Sequence, residues 1–196
     1  MWFKINNIDN KDPNINKFIY NFVIKCPCTI KHTKALVSQR GDAFSKREIK
    51  NDLLNTLNAE IKKRFVKNVT YVKLKSNTKP ENSVDNHRET LLNSKRFSDP
   101  NFEFFIFKKR TDMSDTETIY YCIRNAFAHG SFSIINDNNK KVYLMHCEKN
   151  KDTKADMRLK ESTLKRLIEL KNMNPSEIRD LRKKKTSKNK RSKHNK

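Results

Sequence analysis

Glycine is nearly absent, with two in 196 residues, and there are only five prolines and one tryptophan. This excludes collagen-like and Gly-rich linker compositions and most barrel compositions. Acidic residues are also few, 22 against 44 Lys and Arg. No stretch approaches the roughly 20 apolar residues that a membrane span requires. The opening residues, Met1 to Asn6, lack the charged segment and apolar run of a secretory leader. The expectation is a soluble, reduced, cytoplasmic protein. Four cysteines give no metal site: Cys26-Pro27-Cys28 is tighter than a zinc-knuckle spacing, and Cys122 and Cys147 stand singly in apolar settings. A Gly-rich phosphate loop, a paired-carboxylate metal site and a nucleophile–base pattern are all missing. No metal or other cofactor is therefore expected.

What the chain does have is positive charge, formally +22. Lys and Asn together fill 56 positions, so part of the excess reflects the codon usage of an AT-rich genome. Whatever its origin, such a field attracts polyanions at physiological salt. The expected partners are nucleic acid or an acidic protein. Twelve Phe and five Tyr suffice for a core of modest size. The length suits one domain, residues 1–175, followed by a basic tail at 176–196. Residues 182–196 hold nine Lys or Arg, no acid and no apolar side chain, so this arm has nothing to bury. It suits non-specific contact with phosphate backbones, or simply solvation.

Along the body, residues 1–12 fit a short strand or a docked arm. The run FIYNFVI at 18–24 fits either helix or strand and ends before Pro27. Ile49, Leu53, Leu57, Ile61 and Phe65 recur every four residues and predict a helix over 45–67. Residues 75–90 are polar, contain Pro80 and predict a loop, with a short helical segment near Leu91 and Leu92. The aromatic run FEFFIF at 102–107 must be buried, as a strand or as the start of a helix.

Ser114-Asp115-Thr116-Glu117 fits a capping box. The apolar positions Ile119, Tyr120, Cys122, Ile123, Ala126 and Phe127 follow, and Gly130 stands where a helix C-terminus draws glycine. A helix over 115–129 is predicted. Two apolar runs around Asn136 to Asn139 then predict a β-hairpin, and a helix follows over 160–172.

The chemistry concentrates at the end of the capped helix, where Arg124, Asn125 and His129 fall. Asn125 and His129 are four residues apart and share a helix face, so the amide can reach the imidazole and fix its tautomer. Arg124 lies about 140° from His129 around an ideal helix. One copy therefore makes a poor phosphate pocket, whereas two copies related by a two-fold axis could bring both pairs to one cleft. A purely structural alternative has His129 favoured by the helix dipole and Arg124 paired with Glu117. Tyr120 and Tyr121 suit core packing or a dimer contact better than base stacking. His32, His146 and His194 have no comparable setting, His146 reading as a satisfied surface histidine.

The stretch Ile123-Arg124-Asn125-Ala126-Phe127-Ala128-His129-Gly130 resembles the signature of the HEPN superfamily, whose ribonucleases carry R-x(4–6)-H. The strand, Asn-rich turn, strand and helix that follow resemble a toxin-like subgroup of that family, and the likeness is best over residues 113–172. It implies a mainly α fold, a HEPN-like helical bundle carrying a β-hairpin after the motif helix, and a homodimer formed through that helix. It also implies metal-independent RNA cleavage in toxin–antitoxin or abortive-infection systems, with an antitoxin or other defence protein as a further partner. On that resemblance His129 is general base or acid, Arg124 holds the phosphate, and Asn125 orients His129. The products would be a 2′,3′-cyclic phosphate and a 5′-OH. The alternative is a non-catalytic basic module that binds RNA or protein.

Overall fold

Five segments rich in aromatic and aliphatic residues form one mixed sheet in the computed structural model. The structure describes residues 13–25, 69–75, 80–99, 101–137, 139–173, 176, 177 and 180. The strands are β1 (Thr70–Leu74), β2 (Phe104–Lys108), β3 (Phe132–Asp137), β4 (Lys140–Lys149) and β5 (Asp152–Lys160), in the order β1-β2-β5-β4-β3. β1 and β2 are parallel, and the other neighbours are antiparallel. The helices are α1 (Pro13–Phe18), which continues as a π-helical turn over Ile19–Ile24, then α2 (Val84–Leu92), α3 (Asp115–Ala128) and α4 (Glu161–Asn172).

The expectation of a mainly α helical bundle is therefore corrected: a five-stranded sheet organises the described residues. The predicted hairpin is real and forms β3 and β4, but it is one margin of a larger sheet. The aromatic run near 104 resolves as a strand, buried on both faces from Phe104 to Phe107. Ala155, Met157 and Leu159 alternate with Lys154, Asp156 and Arg158 to make β5, which the sequence reading does not assign. The polar stretch read as a loop at 75–90 instead contains most of α2. Its Ser83 cap accepts from the Asn86 amide at 3.2 Å, and Val84 is its buried anchor. The run at 18–24 is helical. Residues 1–12, the helix predicted over 45–67 and the basic arm at 182–196 lie outside the described residues.

The two sheet faces are covered differently. On one face Phe105, Phe107, Tyr143, Met145, Met157 and Leu159 pack beneath α1, α3 and α4. On the other, α2 closes a smaller cluster of Leu74, Val84, Phe102, Phe104 and Ile106. Phe127 of α3 is the hub of the larger core. Its ring stacks on Phe22 at 5.8 Å, meets Phe132 at 4.8 Å, and lies 6.0 Å from Phe18 and 6.2 Å from Tyr143. The Tyr120 hydroxyl, buried beside it in the same core, donates to the Leu167 carbonyl at 2.8 Å and so ties α3 to α4. At the far side of this core the Lys171 ammonium is buried. It donates to the carbonyls of Asn21 and Lys25, both at 3.0 Å, so a cation meets the open C-terminal end of the π-helical turn.

Removing the Phe127 ring leaves a cavity that four aromatic neighbours cannot all collapse into. Phe127→Ala is expected to cost about 3–5 kcal/mol of unfolding free energy, measured by urea denaturation. A loss below about 1 kcal/mol would contradict the hub assignment.

Candidate functional site

α3 begins and ends where its sequence dictates. Ser114 Oγ accepts from the Glu117 amide at 3.2 Å, and Glu117 Oε2 accepts from the Ser114 amide at 3.0 Å, completing the capping box. At the other end the Ser131 amide donates to Ala126 O at 2.9 Å and the Gly130 amide to Phe127 O at 3.3 Å. Gly130 has φ 64°, the left-handed conformation that favours a residue without Cβ. This Schellman arrangement makes His129 the C-cap residue. It leaves the imidazole exposed, one turn beyond Arg124 and Asn125.

The three motif residues do not converge within one chain. Arg124 is half-buried, and its Nη1 donates to Asn125 Oδ1 at 3.1 Å. The Asn125 amide Nδ2 points inward and donates to Cys147 Sγ at 3.8 Å. With its oxygen and its amide both engaged elsewhere, Asn125 does not orient the His129 ring as expected. Among the described residues, Arg124 pairs with no carboxylate. Glu117, the acid considered for it, is held at the cap.

A cleft of about 450 Å³ opens beside the inner turn of α3, and of the three motif residues only Asn125 lines it. Lys108, Lys109, Arg110, Lys149 and Lys154 contribute five cations, against Asp112 and Asp152. Arg110 grips Asp112 through two bonds of 3.0 and 2.7 Å, and its guanidinium lies 4.6 Å over the Tyr121 ring. Lys108 and Lys154 both bond Asp152 and hold its carboxyl below the usual range. Lys109 and Lys149 have no acidic partner among the described residues. Deeper in the cleft are the Cys122 and Cys147 side chains, both buried. The two thiols act on each other: Cys147, with burial, holds Cys122 protonated, and Cys122 draws the Cys147 pKa down. The Asn125 amide and the charges of His146 and Arg110 act on Cys147 in the same direction.

On the opposite sheet face a second groove, about 480 Å³, is lined by Leu92, Phe97, Phe132 and Leu144, with Arg88, His146 and Asp156 among them. His146 Nδ1 lies 3.1 Å from Asp156 Oδ2, and Arg88 Nη1 lies 3.5 Å from the same oxygen. His146 is thus satisfied, as its sequence reading holds, but by a buried carboxylate in the next strand. Sequence reasoning missed Asp156, Arg88 and the pairing of Cys122 with Cys147. The alternation that gives β5 places Asp156 on the α2 face. The register Cys147↔Ala155 then puts Cys147 on the α3 face. Among the described residues no group of three or more His, Cys, Asp or Glu could hold a metal, and no helix is long and apolar enough to cross a membrane.

Burial raises the Asp156 pKa, and the hydrogen bond from His146 and the charge of Arg88 oppose it without cancelling it. A carboxyl whose folded pKa is raised favours the fold below its unfolded pKa and loses that contribution as pH climbs through the folded value. The stability of the wild type relative to Asp156→Asn is therefore expected to fall as pH rises upward from the ordinary aspartate value. Paired urea titrations across pH would show this, and a difference that rises with pH over that window would contradict it. Comparison with family models, characterised proteins and solved structures returns no match for the chain.

Proposed function

We propose that the chain is a metal-independent endoribonuclease, acting on cytoplasmic RNA as a toxin or antiviral defence effector, with Arg124 and His129 of two copies meeting at a shared groove. One observation carries this reading: the His129 imidazole is exposed, and the neighbouring Arg124 is tied to no carboxylate among the described residues. The imidazole and the guanidinium donors that Asn125 leaves unused are open to a phosphodiester. The resemblance of Arg124 to His129 to the HEPN motif supports the same chemistry. The sheet departs from that family's helical bundle, so the support lies in the motif and its exposure and not in the architecture.

The mechanism follows from what the side chains can do. A neutral imidazole takes the proton of a ribose 2′-OH, which attacks the adjacent phosphorus. A protonated imidazole from the second copy gives its proton to the departing 5′ oxygen. The Arg124 guanidinium, planar and always charged, holds the non-bridging oxygens as charge builds on them. Five positions along an ideal helix set Arg124 and His129 about 140° apart, so a second copy completes the constellation. The cationic cleft beside α3 offers phosphates a further path along the surface. The products are a 2′,3′-cyclic phosphate and a 5′-OH.

Purified protein is expected to cleave RNA in EDTA, leaving cyclic phosphate ends and sparing DNA, which lacks the nucleophile. Arg124→Ala and His129→Ala should each lower the rate by at least about 10²-fold with an unchanged unfolding midpoint. Equal cleavage by the double variant would end the proposal. Salt-sensitive RNA binding without cyclic ends at any protein concentration would replace it with a non-catalytic RNA-binding module, the reading favoured by the net charge alone.

A further inference from the structure

Cys122 and Cys147 come from a helix and a strand 25 positions apart, and the fold brings both side chains to the wall of the cationic cleft, where each acts on the other's protonation. We propose that this pair is a peroxide-reactive dithiol, with Cys147 the attacking thiol and Cys122 the resolving one. The assignment does not depend on the ribonuclease reading.

Three features of the cleft distinguish the pair from two core cysteines that merely touch. First, both thiols line a cavity open to solvent, although only 2% of Cys122 and 3% of Cys147 is accessible. A reactant must therefore be small, and hydrogen peroxide is small enough. Second, Cys147 is surrounded by groups that favour a thiolate. Its Sγ accepts from Asn125 Nδ2 at 3.8 Å, and the Cys122 thiol, Arg110 and His146 act on it from nearby. These groups draw its pKa down, while burial and Cys147 hold the Cys122 proton in place. Third, the same cleft is lined by five cations, Lys149 and Arg110 among them, and the positive potential of such a lining favours a departing hydroxide.

The chemistry balances without a cofactor. The Cys147 thiolate attacks one peroxide oxygen. The O–O bond breaks, hydroxide leaves and takes up a proton, and Cys147 becomes a sulfenic acid. The Cys122 thiol then gives up its proton and attacks that sulfur. The S–S bond forms, the S–O bond breaks, and a second water departs. Two electrons pass from the thiol pair to one peroxide. The resulting bond would join α3 to β4 covalently and turn the sulfur that the Asn125 amide now contacts into half of a disulfide. The side chain that accepts from Arg124 would thereby lose its anchor.

The test uses the full-length chain, treated with hydrogen peroxide near pH 7, quenched with N-ethylmaleimide under denaturing conditions and mapped by peptide mass spectrometry. A linked Cys122–Cys147 peptide pair is expected, lighter by about 2 Da than the two thiol peptides and reversed by dithiothreitol. It should form at least about tenfold faster than free cysteine is oxidised in the same tube. Cys122→Ser should halt the reaction at a Cys147 sulfenic acid that dimedone traps, and Asn125→Ala should slow the first step several-fold. Full maleimide labelling of both peptides while free cysteine is consumed would overturn the proposal. So would a Cys147 disulfide to Cys26 or Cys28. These wild-type outcomes need no variant to fold, and none depends on RNA cleavage.

Discussion

Everything described at the sites depends on the burial of one face of α3 against the sheet. Ile119, Tyr120, Ile123, Ala126 and Phe127 are each at most 1% exposed. Fully burying a large apolar side chain contributes about 1.5–3 kcal/mol, so this face far outweighs the capping interactions at either end. The caps have a different role. They determine where the helix stops, and the stop after Ala128 is what leaves His129 in solvent with Arg124 and Asn125 one turn behind it. Depth in the core fixes the rotation of α3 about its axis, and the terminal glycine fixes its length.

Charge is distributed differently on the two sheet faces. Beside α3, cations outnumber acids, and two of the lysines have no acid within reach among the described residues. Beneath α2, Asp156 and Arg158 are buried, and Asp156 faces the Arg88 guanidinium and the His146 imidazole. Arg158 Nη1 donates to the Phe97 carbonyl at 3.1 Å, and its guanidinium lies 4.8 Å over the Phe97 ring. A buried ion is costly unless its hydrogen-bonding capacity is filled, and here backbone carbonyls and an imidazole fill much of it. The polar residues under α2 thus serve the local architecture, while those beside α3 remain available to solvent and to anions.

The legible part of this chain is the part with local rules. The capping box at Ser114, the glycine after His129, and the Asn turn whose Asn139 takes φ 62° all act within a few residues and could be read directly. The helix that follows β5 was equally plain from Leu164, Leu167 and Ile168. The architecture was not legible, because it depends on pairings between distant segments. β5 carries Lys, Asp and Arg on one face, which obscured a period of two in Ala155, Met157 and Leu159. β1 is short and pairs with a strand more than 30 residues on. The motif residues could be named but their partners could not. Whether Asn125 turns toward His129 or toward Cys147 is decided by the register of β4, and that register is a property of the sheet.

The ammonium of Lys171 rests on carbonyls of residues 21 and 25, about 150 positions earlier in the chain. Loop closure over that span is entropically slow to find, and during synthesis residues 13–25 emerge long before their partner exists. Until α3 and β4 leave the ribosome, Phe18 and Phe22 lack the rings of Tyr120, Phe127 and Tyr143 that they pack against, and the clasp itself waits for α4. The N-terminal turn, the first described segment to be synthesised, is therefore among the last to complete its packing.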